Sequence, residues 1–159
     1  MKQTKRAAAL FCAAALLTLL LCACGSGTKT VPVTDVAAAV GEAIGKADAM
    51  TESDALFLGY TRLTGEQLGE HTVLINAYGA NVDEYGVFRA GTMSAQELKA
   101  AVDGYLETRR AAWMDAYMPE EKPKMTGAES RVSGDYVLYC ILSDADKDAA
   151  FAAFEASVK

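Results

Sequence analysis

The stretch Tyr136-Val-Leu-Tyr-Cys-Ile-Leu142 decides the fold class. It is apolar on both of its alternating sides, as a central strand covered on both faces would be. Ser133-Gly134 just before it is turn material, and residues 125–133 read as its antiparallel partner. Residues 145–158 follow as a closing helix, capped by Asp144, with Asp146 and Asp148 in the first turn.

A second hairpin lies upstream. Residues 71–78 (His-Thr-Val-Leu-Ile-Asn-Ala-Tyr) have the β-branched and aromatic content of a strand, and residues 84–90 read as its partner across the turn at 79–83. The clearest helix comes next. Ser94 and Glu97 form a capping box. Leu98, Val102, Tyr105, Leu106, Trp113 and Tyr117 make one stripe, with Lys99, Asp103, Glu107 and Arg110 opposite, and Pro119 stops the run. Nearer the start, residues 35–49 form an apolar helical face weakened by Gly41 and Gly45, residues 53–58 suggest a short helix, and residues 64–68 a turn. The expectation is an α+β fold. Its antiparallel four-stranded sheet runs in β-β-α-β-β-α order with helices packed on it, preceded by one or two N-terminal helices. Glu84-Tyr85 and Asp135-Tyr136 each open the second strand of a hairpin, which hints at a duplicated ββα unit.

The first 24 residues speak of location. Lys2, Lys5 and Arg6 precede a run from Ala7 to Leu21 in which Thr18 is the one polar residue. That is the layout of a secretory signal, too short for a spanning helix of about 20 apolar residues. The closing Leu21-Cys-Ala-Cys24 resembles the lipobox of bacterial lipoproteins. In that group the cysteine receives a diacylglycerol and the signal is cut just before it. Cys12 and Cys22 follow bulky Phe11 and Leu21, whereas Cys24 follows small Ala23, so Cys24 is the expected lipid attachment residue. One acyl chain, at about 0.8 kcal/mol per buried CH₂, holds a protein only reversibly, so two chains on one sulfur are the minimum for durable anchoring. The expected organisation is a signal over 1–23, a lipidated cysteine with a flexible tether over 24–34, and a single α+β domain over 35–159.

Charge and cysteine count exclude several classes. Loss of Lys2, Lys5 and Arg6 with the signal leaves 12 basic against 21 acidic residues, a formal charge of −9. Such a domain is repelled by an anionic membrane surface and has no basic stripe for nucleic acid. With Cys24 acylated, Cys140 alone remains in the domain, so no internal disulfide is available. Cys140 lies in the apolar run and reads as a small buried hydrophobe.

Three arrangements could carry chemistry. Asp144, Asp146, Asp148 and Glu155 imitate a calcium loop, but Ala149 stands where that loop needs glycine. An acidic helix start explains the same residues with fewer assumptions. His71, the single histidine, sits beside Glu70 with no nucleophile motif nearby and reads as structural. The carboxylate pairs Asp83/Glu84 and Glu120/Glu121 read as solvated surface rather than a glycosidase pair. No catalytic, cofactor or metal residue is therefore expected. The helix end from Met114 to Pro123 offers an aromatic and methionine-rich patch suited to a partner.

At Asp83-Glu-Tyr-Gly-Val-Phe88, with the Ser94-capped helix, Ala112-Trp-Met-Asp-Ala-Tyr-Met-Pro119 and Asp135 to Ser143, the chain resembles a known group. These are small lipoproteins of clostridia-like, Gram-positive bacteria that carry the DUF4358 domain of unknown function. The resemblance runs over about residues 35–158 and brings no activity with it. The resulting expectation is a lipid-anchored lipoprotein on the extracytoplasmic face of the cell membrane, non-catalytic, binding or assisting an envelope protein or glycan. The alternatives are an envelope hydrolase using His71 or surface carboxylates, and a small solute- or metal-binding lipoprotein.

Overall fold

The computed structural model describes residues 30–78, 80–114 and 116–159. Cys24 and the rest of the leading segment lie outside them.

Strand β5 (Tyr136–Ile141) is fully buried along its length, as its two-sided apolar sequence requires. It pairs on one side with β4 (Glu129–Ser133) and on the other with β3 (Glu84–Arg89). β3 pairs in turn with β2 (Glu70–Asn76), and β2 with β1 (Met50–Glu52). All four pairings are antiparallel, in the order β1-β2-β3-β5-β4.

Alternation along these strands divides the core in two. Tyr136, Leu138 and Cys140, with Tyr85 and Val87, face helices α1 (Val33–Ala43) and α6 (Asp144–Val158). Val33, Val36, Val40, Phe151 and Phe154 cover them from those helices. Val137, Tyr139 and Ile141, with Val73 and Phe88, face the other way. There Leu98, Val102, Tyr105 and Leu106 of α4 (Ala95–Ala111) and Phe57 of α2 (Ala55–Thr61) cover them, with Leu68 of α3 (Gly65–Leu68) and Met125 of α5 (Lys122–Thr126). Helices thus clothe both sides of an antiparallel sheet. Gly86 permits the closest packing on the α4 side, since a Cβ there would run into the Tyr139 ring and come within 2.9 Å of Phe88 Cε2.

Several expectations need correction. The sheet has five strands rather than four, because Met50–Glu52 adds an edge strand too short to show alternation. The order after residue 70 is not the plain β-β-α-β-β-α: a 3₁₀ turn (Pro119–Glu121) and α5 stand between α4 and β4. Met125 is accordingly helical rather than in a strand, and Pro119 and Pro123 sit at the starts of those two turns, where proline's missing N–H costs nothing. The first helix ends at Ala43 because Gly45 takes φ 66°, the left-handed conformation that closes helices. Residues 64–68 form α3, a short helix with its own Thr64/Gln67 capping box.

The Ser94/Glu97 box opens α4 as expected, but α4 stops at Ala111. Trp113 and Tyr117 therefore lie beyond it, and Tyr117 is exposed. The stripe was interrupted at Arg109, whose side chain has another use. The cap of α6 is Ser143, not Asp144: the Ser143 hydroxyl accepts the Asp146 N–H at 3.2 Å. Finally, α4 and α6 lie on opposite faces. A two-fold exchanging two neighbouring antiparallel hairpins would bring both helices to one face, so the halves are not related as a duplicated ββα unit.

Candidate functional site

The strongest concentration of buried charge begins at Asp83 and Glu84, adjacent residues where the β2–β3 connection enters β3. Successive side chains of an extended chain point to opposite sides, and these two acids part accordingly. Both are buried, 1% and 3% exposed, contrary to the expectation of solvated surface.

Glu84 turns to the α4 side. Its Oε1 accepts from the Tyr105 hydroxyl at 2.5 Å and the Tyr139 hydroxyl at 2.6 Å, and its Oε2 from Arg109 Nη1 at 2.6 Å. Arg109 Nη1 also donates to the Tyr105 oxygen at 2.5 Å. Burial, reinforced by the Glu84 carboxylate, raises both phenols well above their ordinary range. Burial opposes the Arg109 charge, but attraction to Glu84 outweighs it and the guanidinium is held more firmly protonated than usual. A buried ion pair of this kind is tolerable because its lone pairs and protons are taken up by further hydrogen bonds.

Asp83 turns to the α1/α6 side. Its Oδ2 pairs with Lys46 Nζ at 2.6 Å and its Oδ1 with Lys124 Nζ at 2.8 Å. Lys46 also reaches Asp146 at 2.7 Å, and Lys124 reaches Glu121 at 2.8 Å. Glu121 accepts the Val82 N–H at 3.0 Å. Desolvation works against both ammonium groups, yet the hydrogen bonds and charges of their carboxylates prevail and raise both. Asp146 is lowered: burial opposes its charge, but the Lys46 and Ser143 hydrogen bonds outweigh it. This five-charge cluster ties the segment after α1, the hairpin, the 119–126 turns and the start of α6 into one junction.

The other residues singled out by sequence lie apart from this junction. His71 Nδ1 stands 3.1 Å from the Gly69 carbonyl and Nε2 3.3 Å from Asp54, with the ring stacked on Phe88. Its partners hold it in place, and no nucleophile is among them. Cys140 is wholly buried, and burial pushes its thiol far above the reactive range. Asp144 to Glu155 is continuous helix, so the calcium-loop reading fails there. Among the described residues, no group of three or more His, Cys, Asp or Glu side chains is arranged to hold a metal. Tyr105 is core, as expected, while Met114 and Tyr117 are 67% and 58% exposed.

Surface clefts are shallow. One of about 280 Å³ lies between α1 and the β1–β2 edge, lined among others by Ala38, Gly41, Glu52, Thr72, Leu74 and Tyr85. The Thr72 hydroxyl donates to Glu52 there at 3.1 Å. Neither buried network opens into that cleft.

Sequence reasoning missed Lys46, Tyr105, Arg109, Lys124 and Tyr139 as partners of the two acids. One signal was present: Glu84, Gly86 and Phe88 share a side of β3, so an acid in register with Phe88 had to be buried.

Comparison with curated proteins gives no match, and comparison with solved structures gives none either. A family match covers residues 66–142, from α3 to just past β5, a narrower span than the resemblance of about 35–158. It takes in Asp83, Glu84, Tyr105, Arg109, Glu121, Lys124 and Tyr139, and leaves Lys46 and Asp146 outside. Residues 66–142 of this chain are similar to DUF4358, a domain of unknown function.

Proposed function

We propose that the protein is a lipid-anchored lipoprotein of a clostridia-like Gram-positive cell. A diacylglycerol on Cys24 would fasten it to the extracytoplasmic face of the cell membrane, where its acidic domain binds or assists another envelope component, protein or glycan. The observation that carries this reading is the leading segment: three cations, an apolar run from Ala7 to Leu21, and Leu21-Cys-Ala-Cys24. Confinement near a surface raises effective concentration toward neighbours there without any new contact.

A binding role is favoured over catalysis by how the ionisable side chains are used. The residues through which a hydrolase would operate are engaged in holding elements together: His71 against Asp54 and Gly69, Asp83 between two lysines, Glu84 among two phenols and a guanidinium.

Growth on labelled palmitate tests the anchor. Label is expected in the wild-type protein and absent from Cys24→Ala, which should accumulate at precursor length. Label persisting in Cys24→Ala overturns the assignment.

A further inference from the structure

Two helices cover the α1/α6 side of the sheet, and they leave an opening at one edge. Val33, Val36 and Val40 of α1 are sealed in the core. The neighbouring strip of that helix, which includes Ala38, turns instead toward the cleft at the β1–β2 edge. The register sets Glu52 opposite Leu74 and Leu74 opposite Tyr85, so one row across β1, β2 and β3 forms the floor of the cleft. Thr72, two residues before Leu74 on β2, shares that side. The polar side chains of this lining are mostly acceptors. The Thr72 hydroxyl gives its one proton to Glu52 at 3.1 Å, and the Tyr85 hydroxyl gives its own to the Ala37 carbonyl at 3.1 Å. Glu52 brings acceptors alone. Among the described residues it is the one charged side chain in the lining, and no cation is paired with it. The Thr34 hydroxyl is the remaining side-chain donor there.

We propose that this cleft binds a small organic cation, an ammonium group carried on a compact apolar body. The ammonium donates to the Glu52 carboxylate and the Thr72 oxygen, while the body lies against Ala38 and Leu74. An ammonium has donors and no acceptor, which complements a lining of acceptors. An anion would meet Glu52 with no cation in the lining to offset it. A wholly apolar molecule would strip water from the carboxylate and return no hydrogen bond. At about 280 Å³ the cleft falls just under the usual range for small-molecule sites, about 300–1,000 Å³, so its ligand is a free small molecule rather than a length of polymer. The excess of acids over bases in the chain, 21 against 15, draws cations toward it. The cleft is built from described residues of the domain, so this inference stands apart from the lipid-anchor reading.

The test uses the full chain, uniformly isotope-labelled for amide NMR and held in dodecyl maltoside micelles. Benzylammonium, benzyl alcohol and benzoate, alike in shape and different in charge, are titrated at neutral pH. Benzylammonium should give saturable amide shifts at Ala38, Glu52 and Leu74. Its dissociation constant should be about fivefold below that of benzyl alcohol, the ratio supplied by a partly exposed ion pair at the strong end of its range. Benzoate should give no saturable shift there. Glu52→Gln, which keeps an oxygen for Thr72, should bring benzylammonium to the level of benzyl alcohol and leave benzyl alcohol as it was. Ala38→Phe should fill the cleft and remove both. Both changes are at exposed positions, and unmoved β5 amides will show that the fold is kept. The doubly capped peptide Ala-Lys-Ala presents the same charge on a polypeptide and should bind more weakly than benzylammonium. Equal affinity for ammonium and alcohol, a benzylammonium constant unmoved by Glu52→Gln, shifts outside the cleft, or no saturable shift overturns the proposal. Tighter binding of the peptide overturns the free ligand and gives the cleft to a protein side chain.

Discussion

Glu84 illustrates how one side chain can organise an interior. It is only 3% exposed and has three donors within 2.6 Å. Exchange for glutamine would keep the shape, remove the charge, and leave Arg109, only 15% exposed, without its carboxylate. Removing one partner of a buried pair costs about 3–5 kcal/mol, so Glu84→Gln should lower the urea unfolding free energy by an amount in that range. Asp103→Asn, at a half-exposed helix pair with Lys99, should change it by less than about 1 kcal/mol. Equal effects at the two sites would show that Glu84 is not desolvated as described. The acid was misread from sequence because a neighbouring acid and a turn made both look like surface. The alternation Glu84-Gly86-Phe88 carried the opposite message, and a buried aromatic two pleats along is the stronger cue.

At the scale of elements, most helices and strands were legible because their apolar periods are long. β5 and α4 stood out by two-sided burial and by a capping box. The failures cluster where a local competitor outweighs the pattern: three-residue β1, the proline-started turns at 119–126, and the start of α6. The last of these can be tested directly. Ser143, not Asp144, supplies the oxygen that accepts the Asp146 N–H. Ser143→Ala should therefore cost about 1 kcal/mol, as loss of an N-cap does. Asp144→Ala should cost less, since its one bond is to Lys147, which also holds the Gly127 carbonyl. A larger loss at Asp144 than at Ser143 in chemical denaturation would restore the sequence-based cap.

The whole molecule should respond to alkali through its tyrosines. Burial, with the Cys140 thiol adding to it, pushes the Tyr85 phenol up to about 12 from 10.0, and Tyr105 and Tyr139 are raised by burial and by Glu84. In the unfolded chain these phenols ionise near pH 10. Above that the folded state holds protons the unfolded state has released, so their contribution is complete below about pH 10 and is lost as pH climbs toward the folded values. The urea midpoint should stay level from neutrality to about pH 9 and fall between about pH 10 and 12. Tyr85→Phe should flatten part of that fall. A midpoint unchanged across that window would contradict the burial of all three rings. Sequence reading recovered the antiparallel sheet with its helices but not the charge junction, because Lys46, Asp83, Lys124 and Asp146 meet only once hairpin, turns and two helices are assembled.

The double hydrogen bond between Val31 and the Tyr136 hydroxyl has a mechanical meaning. Traction arriving along the chain ahead of Val31 is borne first by that phenol, and through it by β5, a strand with a neighbour on each side. Helix α1 takes load only after both bonds let go. Any tug at this end is thus delivered to a buried internal strand before it can begin to peel a helix from the sheet.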